Sequence, residues 1–366
     1  MLTKFAVTNY RGFKDRIVWD LTNHSNYSFN QFAIKDGIIK NGIIYGPNGC
    51  GKTNFGLAIF DIENHLSQKM KKSDYYDNFV YAGNENDPVS FEYTFCLDGN
   101  TIFYNYSKDK NGIILTETLT VNNDTIFTKR QGFFEIKETL FPMEEPFKQT
   151  LIYNANYISI INFLLTSYPL HDRHYLLKLQ NFVNTMLWFK HLDTREFIGM
   201  DSGISNIEKY IIDNNLIYDF ATFLWEASGQ RFDFSPTTQE DNCLICNIDN
   251  TRKEFHKIES TGTSSLTLLF FWLKKMDAAS FVFIDEFDAF YHFKLAYEVC
   301  KRLFDLDCQV FLSSHNTYLM TNELLRPDCN FILDKNEIKP LCDCTDKELR
   351  FGHNIEKLFR GNTFSI

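Results

Sequence analysis

The stretch IIYGPNGCGKTNFG, residues 43 to 56, decides how the chain folds. Aliphatic residues run straight into Gly46-Pro47-Asn48-Gly49-Cys50-Gly51-Lys52-Thr53, which satisfies G-x-x-x-x-G-K-[ST]. Each fixed position has a mechanical reason. Glycines let the backbone curl until successive amide N–H groups point inward at phosphate oxygens. The lysine then reaches the β- and γ-phosphates, and the threonine hydroxyl takes a Mg²⁺ position. The flanks agree. NGIIYG reads as a short buried strand, and TNFGLAIFDIENHL as a helix with Phe55, Leu57, Ala58, Ile62 and Leu66 at apolar positions. An anion would sit at a helix N-terminus, where free amides and dipole both favour it. The expected cradle runs from Gly46 to Asn54. The competing reading, an ordinary strand–turn–helix connection, is the weaker one with all three parts in place.

A second signal lies far downstream. SFVFIDEFD, residues 280 to 288, is a buried strand delivering Asp285 and Glu286 at its C-terminal edge. Acids after a strand are often merely solvated. Beside a phosphate cradle, the first carboxylate holds Mg²⁺ and the second orients the attacking water. VFLSSH, ending at His315, again brings a polar residue to a strand tip, one helix after the acids. It is expected to be the neighbouring strand, with the imidazole reaching the γ-phosphate. STGTSSL, from Ser260, opens a helix with hydroxyls, a glycine and free amides. It reads as a helix cap and as a second anion cradle, one that makes most sense for nucleotide held by another copy.

Bulk properties narrow the class. With 366 residues, 44% of them hydrophobic, the chain has ample material for one large core or two ordinary ones. A net charge of −10 argues against a molecule built around nucleic acid, although it does not forbid a local basic strip. No signal peptide is evident. The longest apolar run, LTLLFFWL, falls short of the ~18 residues of a membrane span. Nine cysteines without a secretion signal suggest reduced thiols and a cytoplasmic location. Cys243 with Cys246, and Cys342 with Cys344, are read as buried or incidental thiols rather than zinc ligands.

Along the chain, LTKFAVTNYRGFKDRIVWDL alternates like two short strands with Phe5, Val7, Ile17 and Trp19 inward. QKMKKSDYYDNF reads as loop. VSFEYTFCLDGNTIFYNYSKDKNGIILTETLTVNNDTIFTKR reads as an antiparallel meander broken at DGN, KNG and NND. Residues 155 to 235 carry three- and four-residue apolar spacing and are expected to be helical. DNCLICNI and KEFHKI read as strands, and the remainder alternates helix and strand. The expected architecture is α/β: a composite head, 1–154 with 236–366, and a helical insertion at 155–235.

Together these residues resemble ATP-binding-cassette ATPases of the SMC-like and OLD-like branch, the AAA-15 type. GPNGCGKT matches Walker A, FVFIDE matches Walker B plus the catalytic acid, STGTSS stands at the signature and SSH matches the switch histidine. FAVTNYRGFKD resembles the N-terminal strand and turn of that branch. LRFGHNIEKLFRGNTF resembles tails of ATPases from abortive-infection and phage-defence modules, such as PARIS-type or RloB-associated systems. The resemblance implies ATP and Mg²⁺ sandwiched between two copies head to head. Lys52, Thr53, Asp285, Glu286 and His315 would act in cis, Ser260 and Gly262 in trans, and Arg11 beside the nucleotide.

The chain departs from that pattern at two points. The signature lacks the double glycine of LSGGQ. No glutamine is placed for the Q-loop, since Gln68 comes early and YAGNENDP offers asparagines, so slow or partner-gated hydrolysis is expected.

The expected role is a sensor that restrains a toxic effector, released by a phage-derived trigger. The chain carries no Toprim region, and HDRHY at 171–175 reads as a polar turn rather than an RNase pairing, so a nuclease would come in trans, for instance Toprim-like. The alternatives are an SMC-like DNA-repair ATPase, for which residues 155–235 are too short and aromatic to be a heptad arm, and a transporter ATPase, which would show a clear Q-loop and LSGGQ.

Overall fold

Alternation in the opening residues sets the first of two sheets. Leu2–Thr8 and Ile17–Asp20 pair antiparallel, with Phe5 opposite Trp19 and Val7 opposite Ile17. All four side chains are buried, because successive strand residues face opposite sides and this side faces the core. The other edge of Leu2–Thr8 pairs with Val89–Leu97. From there the chain meanders through Asn100–Lys108, Ile114–Val121, Asp124–Arg130 and Phe133–Ile136. Two of the hairpins turn where the sequence predicts. Asp98-Gly99 and Asn122-Asn123 both have positive φ, the pairing that matches strand twist in a tight hairpin.

The computed structural model describes residues 1–67, 75–154, 157–190, 196–199, 206–238, 240–249, 251–289, 291–334 and 337–364.

The second sheet is the nucleotide-type core. Its order is Glu196–Gly199, Met186–Lys190, Phe281–Asp285, Gln309–Ser313, Asn41–Tyr45, Asn330–Leu333, Ile338–Pro340. The inner strands are parallel and the two outermost antiparallel. Asn41–Tyr45, Phe281–Asp285 and Gln309–Ser313 are buried at every residue, as continuous apolar runs require when a sheet is covered on both faces. Trp19 ties the two sheets together. Its ring lies 4.5 Å from Phe311 and 5.5 Å from both Phe331 and Phe55, all edge-on.

Three sequence readings are corrected. The helix expected over FLLTSYPLHDRHYLLKLQNFVNTMLWF is two helices, Ile160–Ser167 and Tyr175–Asn184, and MLWFK is a strand of the core sheet parallel to Phe281–Asp285. Residues 155 to 235 therefore hold helices and a core strand, not helices alone. The helix after the phosphate loop breaks at Phe60 into Lys52–Ile59 and Asp61–Leu66. KEFHKI keeps only the end of strand Thr251–Glu254 and then tightens into a 3₁₀ turn, Phe255–Lys257.

Beneath the meander a chain of buried polar groups connects the phosphate-loop helices to Ile160–Ser167. Asp61 accepts hydrogen bonds from Tyr75, Tyr106 and Lys108 at 2.7, 2.7 and 2.6 Å. His65 stacks on Tyr106 with ring centroids 3.8 Å apart and bonds the Tyr104 hydroxyl at 2.7 Å. Tyr104 donates to Glu117, which also accepts Ile160 N–H at 2.9 Å. Burial pushes the Glu117 carboxyl up to about 7 from its ordinary 4.5, against the opposing pull of those donors and of Lys129, its cross-strand neighbour.

The folded protein thus keeps a proton on Glu117 that the unfolded chain releases. Stability contributed here is present at low pH and declines as pH rises from about 4.5 to about 7. Glu117→Gln removes the titration. Relative to wild type it should gain on the order of 3 kcal/mol between pH 4.5 and pH 8, measured by urea unfolding. A constant difference across that range would refute the assignment.

Candidate functional site

Parallel strands deliver their C-terminal ends to one edge, and three of them converge there. The Walker A strand Asn41–Tyr45 does not touch the Walker B strand Phe281–Asp285; the switch strand Gln309–Ser313 lies between and pairs with both. One edge therefore presents Gly46, Asp285 and Ser313 side by side, the place where such sheets bind ligands.

The phosphate loop has the shape its glycines require. Pro47, Asn48 and Gly49 are exposed, while Cys50 and Lys52 are buried. Gly51 has φ +106°, and a β-carbon there would lie 2.7 Å from the Phe13 ring. A β-carbon on Gly46 would lie 2.5 Å from the Leu333 carbonyl oxygen. Side chains fit at neither position. The Asn9–Phe13 turn is thus packed directly onto the loop.

Lys52 opens the helix and its Nζ donates to the Gly46 and Pro47 carbonyls at 2.9 and 3.2 Å. Burial holds its ammonium below the ordinary lysine range, with Cys50, Asp285 and Glu286 pulling the other way. A phosphate would strengthen that pull. Thr53 Oγ1 donates to Asp285 Oδ2 at 2.6 Å, joining residues far apart in sequence. Asp285 is fully buried, and its second oxygen accepts Ser313 Oγ at 2.6 Å. Glu286 follows with φ 50°, a left-handed conformation unusual for a non-glycine residue, and its N–H donates to Ser313 Oγ at 2.7 Å. Such outliers persist only where surroundings over-determine them, and they cluster at working sites.

His315 is exposed at the end of the switch strand. Desolvation, then Lys52, lower its pKa below the ordinary histidine value, while Glu286, Asp288 and Asp285 oppose. The ring is neutral at pH 7 and carries one N–H to donate.

Arg11 lies on the other side of the loop. A cavity of about 500 Å³ is lined by Arg11, Gly12, Asn54, Tyr76, Asn78 and Lys110, among others. Arg11 Nε is buried without a hydrogen-bond partner among the described residues.

Ser260 and Gly262 are not brought to this cluster by any described contact. Ser260 caps the helix Thr261–Lys275 by accepting Thr263 N–H at 3.2 Å, and Thr263 donates to Gln230 at 2.9 Å. Gln68 lies outside the described residues. The YAGNENDP turn folds instead onto the N-terminal turn, where the Asn84 and Asp87 carbonyls accept Asn9 Nδ2 at 3.2 and 2.8 Å. Burial pushes Cys246 and Cys344 to about 11 and Cys342 to about 12, which keeps these thiols protonated.

Sequence reasoning missed Ser313, Ser314 and Asp288. Only the consecutive hydroxyls in SSH hinted at them.

Residues 43–321 match a family model described as "AAA domain, putative AbiEii toxin, Type IV TA system". The chain belongs to this family. The match spans the whole interval from the Walker A strand to just past the switch histidine. In three dimensions this AAA-domain protein is similar to the Smc head bound to the C-winged helix domain of ScpA, with 15% identity, 92% of this chain and 96% of that chain covered, and a TM-score of 0.49. It is also similar to the SMC head domain from Thermotoga maritima (15% identity, 93% and 98% covered, TM-score 0.41). The recombination mediator protein RecF with ATP is a third (13% identity, 93% and 99% covered, TM-score 0.40). No curated protein matches the sequence significantly. Among the described residues no helix is long and apolar enough to cross a membrane.

Proposed function

We propose that this AAA-domain protein binds ATP, closes as a head-to-head pair around it, hydrolyses it, and by that cycle regulates a toxic effector in antiviral defence. The observation that carries the reading is the 2.6 Å bond between Thr53 and Asp285, with Lys52 beside it. Hydroxyl, carboxylate and ammonium from opposite ends of the chain meet at one strand edge. A hydroxyl and a carboxylate are hard oxygen donors of the kind Mg²⁺ takes. Mg²⁺, when bound, neutralises charge on the phosphate oxygens.

The protein's own groups do the rest. Lys52 swings from its two carbonyls to the β- and γ-phosphates. Amides of Gly49 to Thr53 line the cradle, and Arg11 with Asn54 faces the nucleoside. Glu286 accepts a hydrogen bond from the attacking water and polarises it. Neutral His315 donates to the γ-phosphate. Ser260 and Gly262 meet the nucleotide of the second copy. The toxin named in the family description is compatible with an effector in trans, and a Toprim-like nuclease is the effector class we favour.

Light scattering tests the cycle. Glu286→Gln should double in mass on adding ATP. Lys52→Ala, lacking a charged donor worth about 1.5–3 kcal/mol, should bind ATP roughly tenfold to hundredfold more weakly and stay single. Affinity purification of the two variants from the native host should then yield an effector in clearly different amounts. Unchanged mass in saturating ATP, with equal yields, would overturn the proposal.

A further inference from the structure

The His315 ring accepts and donates no hydrogen bond among the described residues, and it is exposed. Its place is therefore set by the backbone turn that carries it. Both neighbours in that turn lead to one carboxylate, Ser314 directly and Asn316 through Ser314. Ser314 Oγ donates to Asp288 Oδ2 at 2.8 Å and accepts Asn316 N–H at 2.9 Å. The Asn316 side chain lies near enough to Asp288 to favour its charged form. Ser314 is fully buried and its own N–H donates to the Ile44 carbonyl at 3.1 Å, so the turn is anchored to the Walker A strand as well.

One residue earlier, Ser313 links Asp285 Oδ1 to the Glu286 N–H, and Phe287 N–H donates to the Ser313 carbonyl at 3.3 Å. The loop DEFD and the turn SSHN are thus stapled at successive residues. The first staple sits on the acids. The second reaches none of those acids; what it fixes is the turn that carries the imidazole.

We propose that Asp288 is a positioning residue: through Ser314 and Asn316 it holds the His315 turn at a fixed offset from Glu286, so that the imidazole and the base address the same water and phosphate. The inference rests on the ATPase reading above and deepens it. Asp288 is three residues past the metal-binding acid and does no chemistry itself. A displacement near 1 Å is enough to matter at a reacting centre, where it costs up to about a hundredfold in rate.

Two measurements decide it. Steady-state hydrolysis is compared for wild type, Asp288→Ala, His315→Ala and the double variant. Each single change should lower kcat by about tenfold to a hundredfold with KM nearly unmoved, and the double should fall no further than His315→Ala. Asp288→Asn, which keeps an acceptor for Ser314, should recover most of the loss. Losses that multiply in the double variant overturn the proposal.

The second measurement does not depend on activity. With 13C-labelled histidine, the His315 ring resonance should move in Asp288→Ala and return towards its wild-type position in Asp288→Asn, while the other histidines stay in place. A stationary His315 signal overturns the link whatever the rates show. Wild-type hydrolysis by His315→Ala would remove His315 from the chemistry and overturn the proposal as well.

Discussion

Replacing Glu286 by glutamine should reduce ATP hydrolysis by about a hundredfold to a thousandfold and leave ATP binding intact, the range expected when a positioned base is lost. The substitution keeps size and shape. It also keeps the backbone N–H bond to Ser313, which either side chain allows. What disappears is the carboxylate that polarises water. Lys52, Thr53 and Asp285 remain to hold nucleotide, so the variant should accumulate in the ATP-bound state. Phosphate release measured beside equilibrium ATP binding checks both halves. A variant that turns over like wild type would take the base away from Glu286.

Replacing Lys108 by methionine should cost about 3–5 kcal/mol of stability, the usual penalty for removing one partner of a buried ion pair. Both partners are wholly inaccessible, and Lys108 Nζ sits 2.6 Å from Asp61. Burial pulls the Lys108 pKa down while Asp61 pulls it up. Without the lysine, the side-chain donors left to Asp61 among the described residues are Tyr75 and Tyr106. That loss is a large fraction of the 5–15 kcal/mol by which a domain is stable. Adding Asp61→Asn should restore part of it by removing the stranded charge. Urea unfolding of wild type, single and double variants gives the comparison. A double variant worse than Lys108→Met would show that the tyrosines, not the cation, satisfy Asp61.

Much of the candidate site's placement on the sheet was legible beforehand because its parts are local. Walker A needs a glycine pattern between a strand and a helix, and GPNGCGKT states it in consecutive residues. The acids after FVFI and the histidine after VFLSS could be placed at strand tips from short apolar runs alone. Their adjacency followed from the single helix between them, and the parallel pairing of Phe281–Asp285 with Gln309–Ser313 agrees.

What escaped was everything that depends on register. MLWFK is four bulky apolar residues and a lysine with no flanking glycine or proline, so its period cannot separate a strand from a helix end. Only its pairing with Phe281–Asp285 makes it a strand. Ser313 and Ser314 look like two interchangeable hydroxyls. They part company because Ser313 ends the strand and Ser314 follows it, so that one hydroxyl reaches Asp285 and the other Asp288. Nothing local in the sequence marks Asp61 and Lys108 as buried; the pairing of the meander strands puts them inside.

The position of the Walker A strand has a consequence for biosynthesis. Both its neighbours in the sheet, Gln309–Ser313 and Asn330–Leu333, are made long after it. At about 5–20 residues per second a ribosome needs on the order of tens of seconds to supply them. The meander, whose hairpins pair with what has just emerged, can close during that interval. The phosphate loop cannot. Nascent chains and products truncated before Asn330 should therefore carry an unformed cradle, and a filter-binding assay on them should find no ATP retained.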